Sequence, residues 1–288
     1  MNSTNIQTDT LFLLDRNVVS VIKVAIAGNE QKGEKEQRML DFLREIDAPQ
    51  YAISPLPSLM EGEHGREDNL AEKAKQLEKE TEAVARFFRS ARTDSEYLKS
   101  AKDMFAQIFT GLREADWDAR AAFRTQAAPL LIDPVAPAAR RAVEDKLAEL
   151  AISGGLEKTD GIVVLFVACL YGNLDARKVL KPTKPDATYN VLSDVHLIPR
   201  IALVKAVARD LPIQLKVRFL SLDRGLEQVL DNVRVVLAEV TGDGELQTQV
   251  KYLPPLFPEL VEDEAIDLLS RLNTPAQSSK AADPVLPE

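Results

Sequence analysis

Cysteine is almost missing from this chain of 288 residues: Cys169 stands alone. That excludes a disulfide framework and any zinc site built from several thiolates. Histidine is nearly as scarce, with His64 and His196 only, which leaves little room for His-rich metal sites. Long hydrophobic runs are lacking too. The longest, residues 162–171, is about half of what a spanning helix needs, so no membrane span is expected. Residues 1–10 are polar and lack the basic start and apolar stretch of a secretory signal, so the expected location is cytoplasmic. Positive charge is in deficit, with Lys plus Arg at 36 against Asp plus Glu at 45. A net charge of −9 disfavours a nucleic-acid binder that works by bulk attraction, while leaving room for a local basic strip beside an acidic cluster.

What is present has the balance of a soluble globular protein, 45% hydrophobic and 28% charged. The run LFLL stops at Asp15, the pattern of a buried parallel-type strand with an acid at its carboxyl end. Residues 34–46 carry a helical apolar stripe, and 51–54 restart as a strand, so the chain opens as an α/β sheet. Leu70, Ala74, Leu77, Thr81, Val84 and Phe88 alternate in steps of four and three, giving an amphipathic helix. Residues 94–113, 116–128 and 138–152 read as three more helices. Residues 162–171 read as a buried helix capped by Asp160, and 193–209 as a helix kinked or restarted at Pro199. A strand at 217–221, a short helix at 225–231, a hairpin around residues 242–244 and a helix at 259–272 complete the pattern. The expected fold is α/β, a mostly parallel sheet sandwiched by helices. Residues 1–66 and 156–272 form it, 67–155 are an all-helical insertion, and 273–288 a disordered tail.

Ligands of open parallel sheets bind at the carboxyl ends of strands. Asp15 follows LFLL, Glu61 follows YAISPLPSLM, Asp223 follows VRFLSL, and Asp194 sits in YNVLSDVHL at an expected helix start. In that order these segments resemble the PIN-domain (PIN-like) family of metal-dependent nucleases. LFLLDRNVV is similar to the family's first strand and Asp, with Asn17 as the small polar residue that follows. YAISPLPSLMEGE is similar to its second strand and the helix bearing the second acid, Glu61. NVLSDVHLI resembles the helix opening with the third acid, Asp194. VRFLSLDRGLEQVL resembles the strand ending in Ser/Thr-x-Asp, with Ser221 and Asp223 in those places. The segments cover about seventy of the 288 residues. Compact family members lack the long helical insertion between Glu61 and Asp194, and Asp160, ahead of another helix, competes for the third place.

The resemblance implies an endoribonuclease of toxin or defence type that uses Mg²⁺ or Mn²⁺ held by Asp15, Glu61, Asp194 and Asp223. The residue types agree with it: hard cations prefer carboxylate and water oxygens, and converging carboxylates repel one another without a cation. Asn17 and Ser221 are the supporting residues. Arg177, Lys178, Lys181 and Lys184 form a basic cluster for a nucleic-acid partner, RNA favoured, and Arg86, Arg89 and Arg92 form another. Plainer readings stand beside these. Asp15 and Asp223 can be helix caps, Asp194 an ordinary helix start, and Glu61 solvated among Glu63, Glu67 and Asp68. His196 and Trp117 read as packing residues, His64 as solvated and Cys169 as core. Two rival functions remain open. LFLLDRNVV also resembles the Asp-x-Asp strand of haloacid-dehalogenase-like phosphatases, with Ser54 as the second motif but Asn17 replacing the second Asp. The other rival is a catalytically inactive PIN-like scaffold that binds protein partners through the insertion. The stripe of the insertion is expected to be buried internally or against a second copy in a homodimer.

Overall fold

The structure is a computed structural model that describes residues 10–61, 68–111, 116–209, 215–240 and 246–274. The first strand, β1 (Thr10–Leu14), alternates its side chains between two layers. Phe12 and Leu14 pack with Val18, Ile22, Leu40 and Leu43. Leu13 packs on the opposite side with Phe123, Phe166 and Leu226. A strand covered on both faces is apolar throughout, which accounts for the unbroken LFLL. Helices α1 (Arg16–Ile26) and α2 (Glu34–Glu45) cover the first face, and β2 (Tyr51–Ser54) then pairs parallel with β1.

The short α3 (Leu56–Met60) leads to α4 (Leu70–Phe87), which starts with a capping box between Asn69 and Glu72. Leu77, Val84 and Phe88 are all buried. Val84 and Phe88 join the α1–α2 cluster, and Leu77 packs with Leu59 and Leu98. From Leu77 to Phe88 the stripe is thus covered within the chain, each such side chain contributing about 1.5–3 kcal/mol of burial, whereas Leu70 at its start is exposed. β3 (Arg92–Thr93) then pairs parallel with β2. It lies inside the segment expected to be wholly helical; two strand residues carry no periodicity that a sequence could show. Residues 94–113, expected as one helix, instead form α5 (Ser95–Ser100) and α6 (Lys102–Gly111). At the break the Ser100 hydroxyl donates to Tyr97 O at 2.8 Å, a local bond that competes with helix continuation.

Helices α7 (Trp117–Ala127), α8 (Arg140–Ser153), α9 (Gly161–Leu170) and α10 (Leu174–Leu180) follow. Phe123, Leu147 and the whole of α9 share one apolar cluster with Leu13, so these helices build the second face of the sheet. The turn Pro185–Ala187 runs straight into α11 (Thr188–Arg209), which contains Pro199. Asp194 therefore lies within a helix and does not open one, contrary to expectation. β4 (Lys216–Leu220) pairs parallel with the free side of β1. The result is a four-stranded parallel sheet in the order β3-β2-β1-β4. After α12 (Arg224–Asp231), β5 (Val233–Val240) and β6 (Leu246–Tyr252) form a separate antiparallel pair, and α13 (Glu262–Asn273) ends the described chain. Asn273, expected to begin a disordered tail, is the last residue of that helix. The turn at 242–244, His64, Glu63, Glu67 and residues 275–288 lie outside the described residues. No helix among the described residues is long and apolar enough to cross a membrane.

The chain steps from β1 to β2 on one side, and β4 occupies the other. Strand order therefore reverses at β1, and the crevice beyond the carboxyl ends of β1 and β4 is where such sheets bind ligands.

Candidate active site

The register pairs Leu14 with Leu220, so Asp15 and Ser221 emerge side by side at this crevice. Asp15 caps α1, its Oδ1 accepting from Arg16 N at 2.8 Å. Its Oδ2 accepts from Ser221 Oγ at 2.5 Å and from Asn17 Nδ2 at 2.6 Å. Asn17 is held in turn, its Oδ1 accepting from Leu222 N at 2.8 Å. Ser221 Oγ also accepts from Asp223 N at 2.8 Å, and Asp223 Oδ1 caps α12 by accepting from Gly225 N at 2.9 Å. The plain capping role is thus real for both acids, and Asp223 spends its Oδ1 on it.

Glu61 follows α3 as its C-cap. A five-residue helix cannot hold its own carbonyls, and two buried side chains of α4 hold them instead. Lys73 Nζ donates to Glu61 O at 2.9 Å, and Gln76 Nε2 donates to the same oxygen at 3.1 Å. Lys73 also pairs with Asp68 at 3.5 Å. Nearby, the fully buried Glu80 accepts from Ser58 Oγ at 2.5 Å and pairs with Lys23 at 3.3 Å. Asp194, from α11, pairs with Lys181 at 3.3 Å.

These carboxyl groups act on one another. Burial raises Asp15 despite its three hydrogen bonds, and the charge of Asp223 adds to the rise. Burial and then the charge of Asp15 push Glu61 up to about 8, with Asp194 and Glu80 adding and Arg16 opposing. Burial pushes Asp194 up to about 7; Lys181 opposes, and Asp15 and Asp223 add. Carboxylates from four separate elements therefore share one field. Among the described residues, no three or more His, Cys, Asp or Glu side chains stand close enough to hold one ion. The donor set is nevertheless all carboxylate, which suits a hard cation. Mg²⁺ commonly takes one or two carboxylates and keeps several waters, so the residues fit such an ion in kind.

Other candidates are committed elsewhere. Asp160 caps α9, accepting from Ile162 N at 3.0 Å, and pairs with Arg120 at 2.9 Å. Arg120 Nη1 donates to His196 Nε2 at 2.9 Å. Because arginine offers no acceptor, the imidazole is neutral with its proton on Nδ1. Burial, with Arg120 and Arg200, holds His196 down to about 2. His196 packs edge-on against Trp117, which also meets Tyr189, so both are packing residues. Cys169 is buried in the core.

The basic cluster divides. Arg177 spends its guanidinium on the carbonyls of Leu131, at 2.6 Å, and Ile132. Lys178 pairs with Asp175 at 2.8 Å, and Lys184 is exposed. Lys181 is the member that bonds to an acid of the crevice. Arg86, Arg89 and Arg92 are exposed at and beyond the end of α4. Sequence reasoning missed Lys73, Gln76 and Glu80. Their signal was spacing: they flank the Leu77–Thr81–Val84 stripe at helical intervals, on a face wide enough to be buried. Compared with known proteins, the chain matches no family model, no curated protein and no solved structure.

Proposed function

We propose that the chain is a PIN-like, metal-dependent nuclease that hydrolyses the phosphodiesters of nucleic acid. The observation that supports this reading is the Asp15 carboxyl, held by Ser221 and Asn17 where strand order reverses, with the charges of Glu61, Asp194 and Asp223 near enough to act on it. Raised carboxyl groups cost stability at neutral pH, so packing alone gives no reason for them. Asp15 and Asp223 are the residues that would bind Mg²⁺ or Mn²⁺ directly, with Glu61 and Asp194 reaching it through water. Such an ion supplies Lewis acidity and positive charge at a phosphodiester. The chain's own part is orientation. Ser221 and Asn17 fix the Asp15 carboxyl, while Glu61 and Asp194 position the attacking water. Lys178, Lys181 and Lys184 offer ammonium groups to backbone phosphates. RNA as the favoured substrate and a toxin or defence role come from the family resemblance, and a cytoplasmic location from the polar start of the sequence.

A haloacid-dehalogenase-like phosphatase has less support, since Ser54 spends its hydroxyl on Asp94 Oδ2 at 2.6 Å. An inactive PIN-like scaffold binding protein partners is the second reading, and the wide spacing of the carboxyl groups favours it. The test incubates the full chain with single-stranded RNA and DNA in Mg²⁺, Mn²⁺ or EDTA, beside a phosphomonoester. Cation-dependent cuts in a polymer support the nuclease. Phosphate released from the monoester alone supports the phosphatase, and no reaction with any substrate supports the scaffold.

A further inference from the structure

Helix α6 carries an apolar face wider than its neighbours cover. Ala106 is buried in one cluster with Leu77 of α4 and Leu98 of α5, and Phe105 and Phe109 pack on that cluster while staying half-buried. The rings of Phe105 and Phe109 stack at 5.7 Å, and Tyr97 of α5 meets Phe105 edge-on at 5.9 Å. Beyond them the face continues in the open: Tyr97 is 63% exposed, Met104 47% and Ile108 45%. Each helical residue turns by about 100°, so Ala106, Phe105, Ile108 and Met104 follow one another around roughly 200° of α6. Met104 and Ile108, four positions apart, form the uncovered edge of that arc. A contiguous apolar patch of this kind marks contact with another protein surface.

The charges around the patch say what covers it. Glu96 is exposed and Lys99 half-exposed on α5, and neither forms an ion pair with another described residue. Lys99 lends its charge to Glu78, whose own ion pair is with Lys102 at 3.0 Å. Glu96 and Asp103 stand against Lys99 and Lys102, so the signs balance here although the chain carries −9. Two copies therefore meet at this face without the repulsion that their net charge imposes elsewhere. A partner of one sign would set Glu96 or Lys99 against its like, whereas a second copy supplies both opposites. We propose that this face of α5 and α6 is a self-association surface, on which a second copy of the chain packs about a two-fold axis. Tyr97, Met104 and Ile108 form the apolar centre. At the rim Glu96 of each copy pairs with Lys99 of the other, so the pairing occurs twice. α6 is about 15 Å long, so the contact is at the low end of specific interfaces and its dissociation constant is on the order of 10 μM. The dimer needs neither metal nor nucleic acid, and stands apart from the nuclease reading.

The experiment is sedimentation equilibrium of the full chain from about 1 μM to about 1 mM, the range that brackets the expected constant. The unmodified chain shows a monomer–dimer equilibrium. Ile108→Glu and Met104→Gln, both at exposed positions, keep their melting temperatures and weaken the dimer about tenfold or more. Glu96→Lys and Lys99→Glu each weaken it about threefold to tenfold, because each replaces two attractions with two repulsions. Combining Glu96→Lys with Lys99→Glu restores the constant to within about twofold of the unmodified chain. A chain that stays monomeric over the whole range overturns the proposal. So does a dimer that Ile108→Glu and Met104→Gln leave unchanged, since it then forms through another surface. Association that runs on past two copies, or a charge-swapped double variant as weak as the single ones, overturns the two-fold arrangement.

Discussion

Ser221 donates a 2.5 Å hydrogen bond to Asp15 across 206 positions of sequence. The parallel register of β1 and β4 brings the two together, one residue past the carboxyl end of each strand. Asn17 then ties the same carboxyl oxygen to the backbone of Leu222. The Asp15 carboxyl is held in one orientation by groups from both strands, as a ligand at a strand-order reversal requires.

Asn17 donates to one neighbour and accepts from the other. Asn17→Asp loses the donor and sets a second carboxylate against Asp15 Oδ2, where the amide now stands at 2.6 Å. The expected loss is about 2 kcal/mol at pH 8, shrinking toward pH 5 as one of the pair takes a proton. Urea unfolding at both pH values measures it. Unchanged stability at pH 8 contradicts the arrangement.

Glu61 gives a pH signature. Its carboxyl stands at about 8 in the folded chain against an ordinary 4.5. Between those values the folded chain keeps a proton that the unfolded chain releases, so stability falls as pH rises through the window. Glu61→Gln removes this dependence. In EDTA its stability should gain on the unmodified chain from pH 4.5 to pH 8, by about 4 kcal/mol. Comparing the two chains cancels the opposite effect of buried His196, which costs stability as pH falls below 6.5. A gap that stays flat across the window contradicts the burial and repulsion at Glu61.

Lys23 is the partner of the fully buried Glu80, with about a third of its own side chain exposed. Lys23→Met leaves that carboxyl without its cation and should cost about 2 kcal/mol at pH 8. Adding Glu80→Gln should recover most of the loss, because the uncompensated charge is then gone. Additive losses in a double-mutant cycle would show that the pair does not act as a unit.

The sheet was legible because β1 and β4 announce themselves as apolar runs ending at an acid. The helical stripe of α4 was legible from its spacing. The start of α11 was not, because Pro185 and Asp186 resemble a linker yet form the turn that launches the helix. β3 is too short to leave a pattern. At the site, Asp15 and Asp223 could be named from strand ends alone, and Ser221 from the family resemblance. The partners of Asp160 and Asp194 could not, since Arg120 and Lys181 reach them from other helices. The supports of Glu61 were hidden for the same reason: Lys73 and Gln76 look like solvated residues until α3 lies beneath them.

Asp15→Asn tests the nuclease reading most directly. The substitution keeps the side-chain shape and removes one charged ligand from the shared field. With the unmodified chain, Mn²⁺ at a hundred times its dissociation constant should add about 2.7 kcal/mol of stability and raise the melting temperature accordingly. With Asp15→Asn that shift should vanish, and cation-dependent cleavage of single-stranded RNA should fall by about a hundredfold or more. An Asp15→Asn chain that keeps both the Mn²⁺ shift and the cleavage would place the chemistry elsewhere in the molecule.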